Sequence, residues 1–334
     1  MNCHASFCLF ALTFPLAVEM HAAPIGVVLS GGGAMGAYEV GVWQALQASG
    51  LSSNVTAISG SSVGAINAAL FAIKPESAER VWFENMGSVF TVSPNRVGGI
   101  VQTLLDDASK AMDFADRTGK KWAGWADFAN STMSRMWKLA EDMDSDKICP
   151  GIIDSSNLAD ALDKTLPKEW PATAPAVYAT AVEKGAGNAS ATWQLNAQSH
   201  DRRVLMLRAS AAIPFGFDTV MIDGKPYVDG GYENRGGDNA PIGPILRNHP
   251  DIKTVVAVYL IDDENRRAKN RADATANGVR LVEIAPTEKI SGLLSVGGVF
   301  DTRPKTAKRL IELGRRDAEA VLKEAGLWKK TGFR

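Results

Sequence analysis

The sequence predicts an α/β fold of three layers, with a mostly parallel central sheet flanked by helices. Residues 25–30 (IGVVLS) form a short apolar, β-branched run that ends in glycines, which is typical of a buried parallel strand. A helical pattern begins at about Ala37, and a second short strand, Val55–Ser59, is followed by an apolar helix that opens at Ser62 or Val63. Two strand–helix pairs in succession favour a parallel sheet covered by helices.

Residues 76–150 have a different pattern, with helices interrupted by polar loops. This segment predicts a helical cap inserted into the α/β domain. It holds four of the eight tryptophans, which are Trp82, Trp122, Trp125 and Trp137. These side chains favour a cap that packs on the core, or alternatively a lid or lipid-facing surface, because tryptophan suits membrane interfaces.

The α/β pattern resumes after Pro150 and completes a domain predicted to span residues 24–330. A helix is expected over Val204–Ala211, ending before Pro214, and a long amphipathic helix over 305–325. Further strands are predicted at Val177–Glu183, Ala191–Leu195, Pro226–Val228, Thr254–Leu260 and Arg280–Ile284. From Thr302 onward the chain carries ten basic and four acidic residues, which indicates a solvated helix face or, as the second hypothesis, an anionic membrane surface.

Charge and cysteine content restrict the classes of function. The formal net charge is −1, which gives no reason to expect a nucleic-acid partner. Cys3, Cys8 and Cys149 form neither a zinc-binding spacing nor a CxxC pair. We therefore predict no metal and no cofactor.

The N-terminal 23 residues predict a secretory signal peptide. An apolar run over residues 5–18 precedes His21-Ala22-Ala23, whose small residues suit signal-peptidase cleavage. The segment lacks Lys and Arg before the apolar run, so a second hypothesis is a translation start at Met20. The first hypothesis places the protein in the periplasm or outside the cell, and the second places it in the cytoplasm.

The first segment that carries chemistry is a glycine-rich turn, Gly31-Gly32-Gly33-Ala34-Met35-Gly36, between the first strand and its helix. Its backbone N–H groups can converge on a negative charge beside the helix N-terminus. The spacing also satisfies the dinucleotide-binding pattern GxGxxG, but that site needs an acidic residue about 20 positions further on. The next strand ends in Ile58-Ser59-Gly60 without a carboxylate, which disfavours a nucleotide cofactor.

The second segment is Gly60-Ser61-Ser62-Val63-Gly64, which fits GxSxG. It lies where a strand ends and a helix begins, the context in which a sharp turn exposes a nucleophilic serine. The flanking Gly60 and Gly64 permit the strained backbone and close helix packing. Ser62 is therefore the candidate nucleophile, and it needs a base to accept its proton.

The third segment, Asp229-Gly230-Gly231, follows a predicted strand and supplies a carboxylate that can reach into a cleft. Taken alone, such a tripeptide is most often a turn. The competing bases are the four histidines, of which His4 and His21 precede the folded domain and His200 lies in a polar, solvated segment. His249 would complete a triad in the order Ser62, Asp229, His249, although the nucleophile comes early in the chain for that fold.

In this order and context, the three segments resemble the patatin-like phospholipases. The segment Ala209–Pro214 is similar to the helix-and-proline segment of that family, and Asn239 and Pro241 are similar to the residues after its catalytic aspartate. The resemblance covers roughly residues 25–325.

The resemblance implies a lipid acyl hydrolase with a Ser62–Asp229 dyad and no metal. It also implies that the amides of Gly32 and Gly33, with Gly31 shaping the turn, form the oxyanion hole. Expected partners are a phospholipid or another acyl-ester lipid, with peripheral membrane contact. Two features depart from the family: Met35 stands where a basic residue is common, and residues 232–238 (YENRGGD) form a longer segment.

Three other classes stay open on the sequence. A soluble carboxylesterase would use a Ser-His-Asp triad that includes His249. A non-catalytic lipid-binding protein would keep the fold without turnover. A nucleotide-dependent enzyme would depend on Gly33.

Overall fold

The computed structural model describes residues 23–84, 86–89, 153, 155–185, 189–214, 216–233, 236–290 and 301–328. The predicted signal segment, except for Ala23, lies outside the described residues, and so does most of the predicted insertion over 76–150. Of the four tryptophans in that insertion, only Trp82 lies in a described range, and its side chain is buried in the core.

Strands alternate with helices along the described chain. The strands are β1 (Ile25–Leu29), β2 (Val55–Ser61), β3 (Ala176–Glu183), β4 (Ala189–Gln194), β5 (Val220–Ile222), β6 (Lys225–Asp229), β7 (Thr254–Val258) and β8 (Arg280–Ile284). The helices are α1 (Ala37–Ala48), α2 (Val63–Ile73), α3 (Ala78–Glu84), α4 (Met86–Val89), α5 (Ser155–Thr165), α6 (His200–Ser210), α7 (Gly243–Asn248), α8 (Glu264–Ala276) and α9 (Pro304–Glu324). None of the helices in the described ranges is both long and apolar enough to cross a bilayer.

Within the described residues, the strands form one sheet of eight, in the order β5-β6-β3-β2-β1-β7-β8, with β4 also paired to β3. The five strands from β3 to β8 in this order are parallel to one another, whereas β4 and β6 pair antiparallel with β3. This arrangement confirms the predicted mostly parallel sheet. The β5–β6 hairpin adds an antiparallel edge.

Helices cover both faces of the sheet. In β1, Val27 and Leu29 point into a large core with α1, α2, α6 and α9, while Val28 points into a second core with α7 and α8. This alternation follows from the two-residue period of a strand. Because both faces are buried, β1 is apolar at nearly every position, which confirms the three-layer prediction.

The register of β3 brings two distant segments of the chain together. Its residues 176–180 pair with β2, and its residues 181–183 pair with β6. Because β4 pairs along residues 178–183 of β3, β2 and β6 share the other edge. Asp229 of β6 is opposite Ala181, next to the pair Ser61–Thr180, so β6 meets the end of β2.

Helix α6 begins earlier than the sequence pattern indicates. Its first residue is His200, and Ser199 accepts a hydrogen bond from the Arg202 N–H as its N-cap. The expectation that His200 is a solvated loop residue is wrong, because its side chain is 10% exposed and its ring Nε2 lies 2.7 Å from Asp163 Oδ1. The prediction started the helix at Val204, from the spacing of its apolar residues. The Ser199 N-cap instead sets the start at His200.

Helices α1 and α9 cross at two glycines that allow their backbones to touch. A Cβ at Gly41 would lie 2.0 Å from the Ile311 carbonyl oxygen, and one at Gly314 would lie 2.0 Å from the Tyr38 carbonyl oxygen. The long helix predicted over 305–325 is therefore fixed against the helix that follows the glycine-rich turn.

Replacing Gly41 by Ala is expected to lower the free energy of unfolding by about 3 kcal/mol, because one helix must move off the other. Denaturant unfolding measures the change. Gln47→Ala, at an exposed position of the same helix, is the control and should have a nearly wild-type midpoint. An unchanged midpoint for Gly41→Ala would contradict the close crossing.

Candidate active site

Ser62 lies in the sharp turn between β2 and α2. Its backbone has φ 54° and ψ −128°, a conformation that non-glycine residues rarely adopt. Two close approaches require the flanking glycines: a Cβ at Gly60 would lie 2.3 Å from the Gly64 carbonyl oxygen, and one at Gly64 would lie 2.5 Å from the Leu29 carbonyl oxygen. The turn therefore lifts Ser62 out of the strand at the carboxyl end of β2.

Backbone hydrogen bonds hold this turn on both sides of Ser62. Its N–H donates to Ser210 Oγ at 3.0 Å, and its carbonyl oxygen accepts from the Ala65 N–H at 3.0 Å. The second bond is the first turn of α2. The side chain is buried in the protein, with 4% of the residue surface exposed.

Asp229 is the last residue of β6 and lies beside this turn. Its N–H donates to the Ala212 carbonyl oxygen at 2.9 Å, and the next N–H, of Gly230, donates to the Ser210 carbonyl oxygen at 3.0 Å. Its Oδ1 accepts from the Gly231 N–H at 2.8 Å. The end of α6 thus fixes the position of the carboxylate.

Burial sets the protonation of Asp229. Desolvation raises its pKa from 3.8 to about 6, against smaller lowering effects of the Ser62 hydroxyl and the Gly231 N–H. Its Oδ2 is buried and makes no well-formed hydrogen bond among the described residues. The Ser62 hydroxyl is thus near enough to favour the ionised carboxylate, without the geometry of a full hydrogen bond. Contacts of this kind often tighten only when substrate binds.

The glycine-rich turn lies directly against the nucleophile. A Cβ at Gly31 would be 2.9 Å from Ser62 Cβ and 2.5 Å from Asn239 Oδ1, so only glycine fits there. The Gly31 N–H donates to Asn239, with distances of 3.0 Å to Oδ1 and 3.1 Å to the carbonyl oxygen. The N–H groups of Gly32 and Gly33 have no acceptor in the described part of the chain. Two free amides therefore follow Gly31 in the turn that contacts Ser62, before α1.

The other predicted glycines are close-packed around the same turn. A Cβ at Gly36 would lie 2.5 Å from Val63 Cγ2, and one at Gly230 would lie 2.2 Å from the Thr180 carbonyl oxygen. A Cβ at Gly231 would lie 2.4 Å from Asn239 Oδ1. The structure thus brings the three predicted segments together where β1, β2 and β6 end.

A buried polar cluster joins α1, α2 and α3 beside the glycine-rich turn. Asn67 Nδ2 donates to the Gly36 carbonyl oxygen at 2.9 Å and to Glu39 Oε2 at 2.8 Å, and Trp82 Nε1 donates to Asn67 Oδ1 at 3.0 Å. Desolvation raises the pKa of Glu39 well above its usual value, so a neutral carboxyl is favoured there. These bonds tie the glycine-rich turn to α2.

Arg266 of α8 forms ion pairs with two carboxylates of the segment that follows Asp229. The guanidinium Nε lies 2.7 Å from Glu233 Oε1, and another of its nitrogens lies 2.8 Å from Asp238 Oδ1. Glu233 Oε1 also accepts from the Asn239 N–H at 3.3 Å. The segment 232–238 is therefore fixed near both ends, with Asn239 facing Gly31.

No histidine in the described ranges contacts Ser62 or Asp229. The His249 ring Nε2 lies 3.0 Å from the Tyr178 hydroxyl, and His249 follows α7 at the side of the sheet where the parallel strands begin. Ser62 and Asp229 lie at the opposite side, where those strands end. His4 and His21 lie outside the described residues.

Two contacting residues, Ser210 and Asn239, were not assigned a role from the sequence. Each reaches the site by a hydrogen bond across a long separation, of 148 residues from Ser210 to Ser62 and 208 residues from Asn239 to Gly31. A serine and an asparagine have no spacing pattern that marks such a role. The resemblance of the segments around them was the available signal.

Replacing Asn239 by Ala is expected to reduce kcat for ester hydrolysis about 10- to 100-fold, because the Gly31 peptide loses its side-chain partner and the free amides shift. Hydrolysis of a soluble p-nitrophenyl ester measures this. The control is Asn277→Ala at an exposed position after α8, which should retain full activity. Wild-type kcat in Asn239→Ala would show that the turn keeps its shape without this side chain.

The chain is similar to known proteins in a family model and in solved structures. The family model "Patatin-like phospholipase" matches residues 27–246. Among solved structures, VipD from Legionella pneumophila is 15% identical, with a TM-score of 0.46, over 90% of this chain and 67% of VipD. Human GIVD cytosolic phospholipase A2 is 11% identical, with a TM-score of 0.47, over 91% of this chain and 59% of that chain.

A further solved structure is the type III effector protein ExoU, which is 16% identical, with a TM-score of 0.37, over 91% of this chain and 53% of that chain. The chain thus spans less than two thirds of the human enzyme and about half of ExoU. No curated protein gives a significant match. The family model covers more than half of the sequence and includes Ser62 and Asp229. On this finding, the chain belongs to the patatin-like phospholipase family.

Proposed function

We propose that this protein is a lipid acyl hydrolase, of the phospholipase A or lysophospholipase type, that uses Ser62 as nucleophile and Asp229 as general base. The observation that carries the proposal is the position of Ser62, on a strained turn beside a buried carboxylate with a pKa of about 6. The free amides of Gly32 and Gly33 follow Gly31, which packs against Ser62. A nucleophile, a base and oxyanion donors are the groups that acyl transfer requires.

In the proposed mechanism, ionised Asp229 accepts the Ser62 proton while Oγ attacks the ester carbonyl carbon. The Gly32 and Gly33 N–H groups donate to the resulting oxyanion, and the N-terminal end of α1 adds a favourable dipole. The tetrahedral intermediate collapses, and the departing alkoxide takes the proton from Asp229. Water then gives its proton to Asp229, attacks the acyl-enzyme, and releases the fatty acid as the proton returns to Ser62.

A lipid ester is the substrate class that the family and the rim of the site support. Leu260 packs against the glycine-rich turn, since a Cβ at Gly32 would lie 2.9 Å from its Cδ1. The next residue, Ile261, is one of two large apolar side chains in the described ranges that are clearly exposed. An exposed isoleucine at this edge can contact an acyl chain or the surface of a bilayer.

The test is fatty-acid release from phosphatidylcholine vesicles by the full chain and by its Ser62→Ala variant. Release that disappears in the variant supports the proposal. Equal release from both proteins would refute it. Vesicle binding by both proteins without release would favour the lipid-binding alternative.

The Ser-His-Asp alternative makes a separate expectation. His249 contacts Tyr178 and lies at the other end of the strands from Ser62, so His249→Ala should retain hydrolysis in the dyad mechanism. Loss of all activity in that variant, with an unchanged unfolding midpoint, would instead favour a soluble carboxylesterase with a triad.

The pH dependence of hydrolysis should follow the ionisation of Asp229. Because only the carboxylate accepts a proton, kcat/KM is expected to fall about tenfold per pH unit below a midpoint of about 6 and to level off above it. Initial rates on a soluble ester from about pH 4.5 to 8 measure this midpoint. A rate that stays constant across that range would contradict the assignment of the base.

A further inference from the structure

Ser210 contacts the nucleophile turn and the base strand at the same time. It is the last residue of α6 and is fully buried, with 0% of its surface exposed. We propose that Ser210 is a positioning residue that sets the distance between Ser62 and Asp229, an inference that rests on the function proposed above.

The first contact is made by the Ser210 side chain. Its Oγ accepts the Ser62 N–H at 3.0 Å, across 148 residues of sequence. The Ser62 backbone is in a sparsely populated conformation, which persists only where surrounding bonds fix it. Without this acceptor, the buried N–H would have no partner and the turn would keep only the bonds to the Ser62 carbonyl oxygen.

The same bond also removes one amide from the possible oxyanion donors. Because the Ser62 N–H is bound to Ser210, it is not free to stabilise an oxyanion. The proposed donors, the amides of Gly32 and Gly33, are unbound in the described part of the chain.

The second contact is made by the Ser210 backbone. Its carbonyl oxygen accepts the Gly230 N–H at 3.0 Å, next to the bond from the Asp229 N–H to Ala212. A substitution of the side chain leaves this carbonyl in place. A substitution that removes the Ser210 hydroxyl therefore breaks its bond to the Ser62 N–H, while the Asp229 and Gly230 N–H groups keep their bonds to the backbone at the end of α6.

Packing alone does not account for a serine at this position. Its neighbours Ala209, Ala211 and Ala212 are buried apolar residues of the core. An alanine would fit among them with one atom fewer. The hydroxyl is accounted for by its bond to Ser62.

The experiment compares Ser210→Ala and Ser210→Cys with the wild-type full chain on a soluble ester. We expect kcat to fall about 100-fold in Ser210→Ala, because misplacement of a nucleophile by about 1 Å costs this much. KM and the pH midpoint should be unchanged, since the substrate groove and the burial of Asp229 stay the same. Ser210→Cys keeps a weak acceptor of similar size and should have an intermediate kcat.

The control is Ser49→Ala, another buried serine, whose hydroxyl donates to the Leu46 carbonyl oxygen near the end of α1. It should lose stability without losing kcat. Rates are measured well below each unfolding midpoint. If Ser210→Ala does not fold, Ser210→Cys and its rate of labelling by a fluorophosphonate carry the test, with slower labelling at an unchanged pH midpoint expected.

Wild-type kcat in Ser210→Ala, or equal kcat in the Ala and Cys variants, would overturn the inference. So would wild-type labelling of Ser210→Cys. These outcomes are distinct from failure of the proposed function, which Ser62→Ala reports independently. If Ser62→Ala loses activity and Ser210→Ala keeps full activity, the positioning role of Ser210 is refuted and the proposed function stands.

Discussion

Replacing Asp229 by asparagine is expected to abolish hydrolysis and to stabilise the folded protein near neutral pH. The amide cannot accept the Ser62 proton, so kcat should fall by at least about 10⁴-fold, as for removal of other essential catalytic groups. Stability should rise because the wild-type protein holds a desolvated carboxylate. Its pKa is raised from 3.8 to about 6, and a difference of this size corresponds to about 3 kcal/mol.

The direction of the stability effect depends on pH. The raised pKa means that the folded state binds the Asp229 proton more tightly than the unfolded state. The carboxyl is therefore neutral in both states below about pH 3.8, and its contribution to stability is lost as the pH rises through about 6. The advantage of the asparagine variant should be absent near pH 4 and complete above pH 7.

Denaturant unfolding at both pH values, together with ester hydrolysis, tests this prediction. Asp273→Asn, at a partly exposed position of α8, is the control and should keep full activity without the pH-dependent gain. Turnover by Asp229→Asn would refute the role of the base. Equal stability of the two proteins at neutral pH would show that Asp229 carries no buried charge.

Ser62→Ala and Ser62→Gly should both lose hydrolysis and fluorophosphonate labelling, yet differ in stability. The backbone of Ser62 has φ 54°, which strains alanine and is freely accessible to glycine. We expect the glycine variant to be more stable than the alanine variant by about 1 kcal/mol, even though glycine is more flexible in the unfolded chain. Unfolding midpoints and active-site labelling measure the two effects.

The neighbouring Ser61 provides a matched control for this comparison. It lies in β2 with an ordinary backbone conformation, because Ser62 and Asp223 are the residues other than glycine with positive φ in the described ranges. At Ser61 the order should reverse, with glycine less stable than alanine. The same order at both positions would argue against strain at Ser62.

The sequence was most informative where a signal is local. The apolar run of β1, the glycines around Ser62 and the carboxylate at the end of β6 each reflect the backbone of a few adjacent residues. These signals identified every strand except the short β5, as well as the nucleophile turn and the candidate base. The start of α6 was missed because an N-cap serine, rather than apolar spacing, sets it.

Contacts between segments that are distant in the sequence could not be predicted from local patterns. That Ser62 and Asp229 are neighbours depends on β6 pairing antiparallel to β3 along the edge where β2 ends. The order of motifs in the chain was compatible with this arrangement but also with a triad that included His249. The position of His249, at the opposite end of the strands from Ser62, supports the proposed dyad.

The sequence by itself determined the α/β class, the family and the identity of the candidate nucleophile and base, because each depends on short patterns of glycine, apolar and acidic residues. Only the tertiary structure decided how the site is held together. The bonds from Ser62 to Ser210 and from Gly31 to Asn239 join residues 148 and 208 positions apart. The pKa of Asp229 likewise depends on burial by the whole fold, which removes water from its carboxylate.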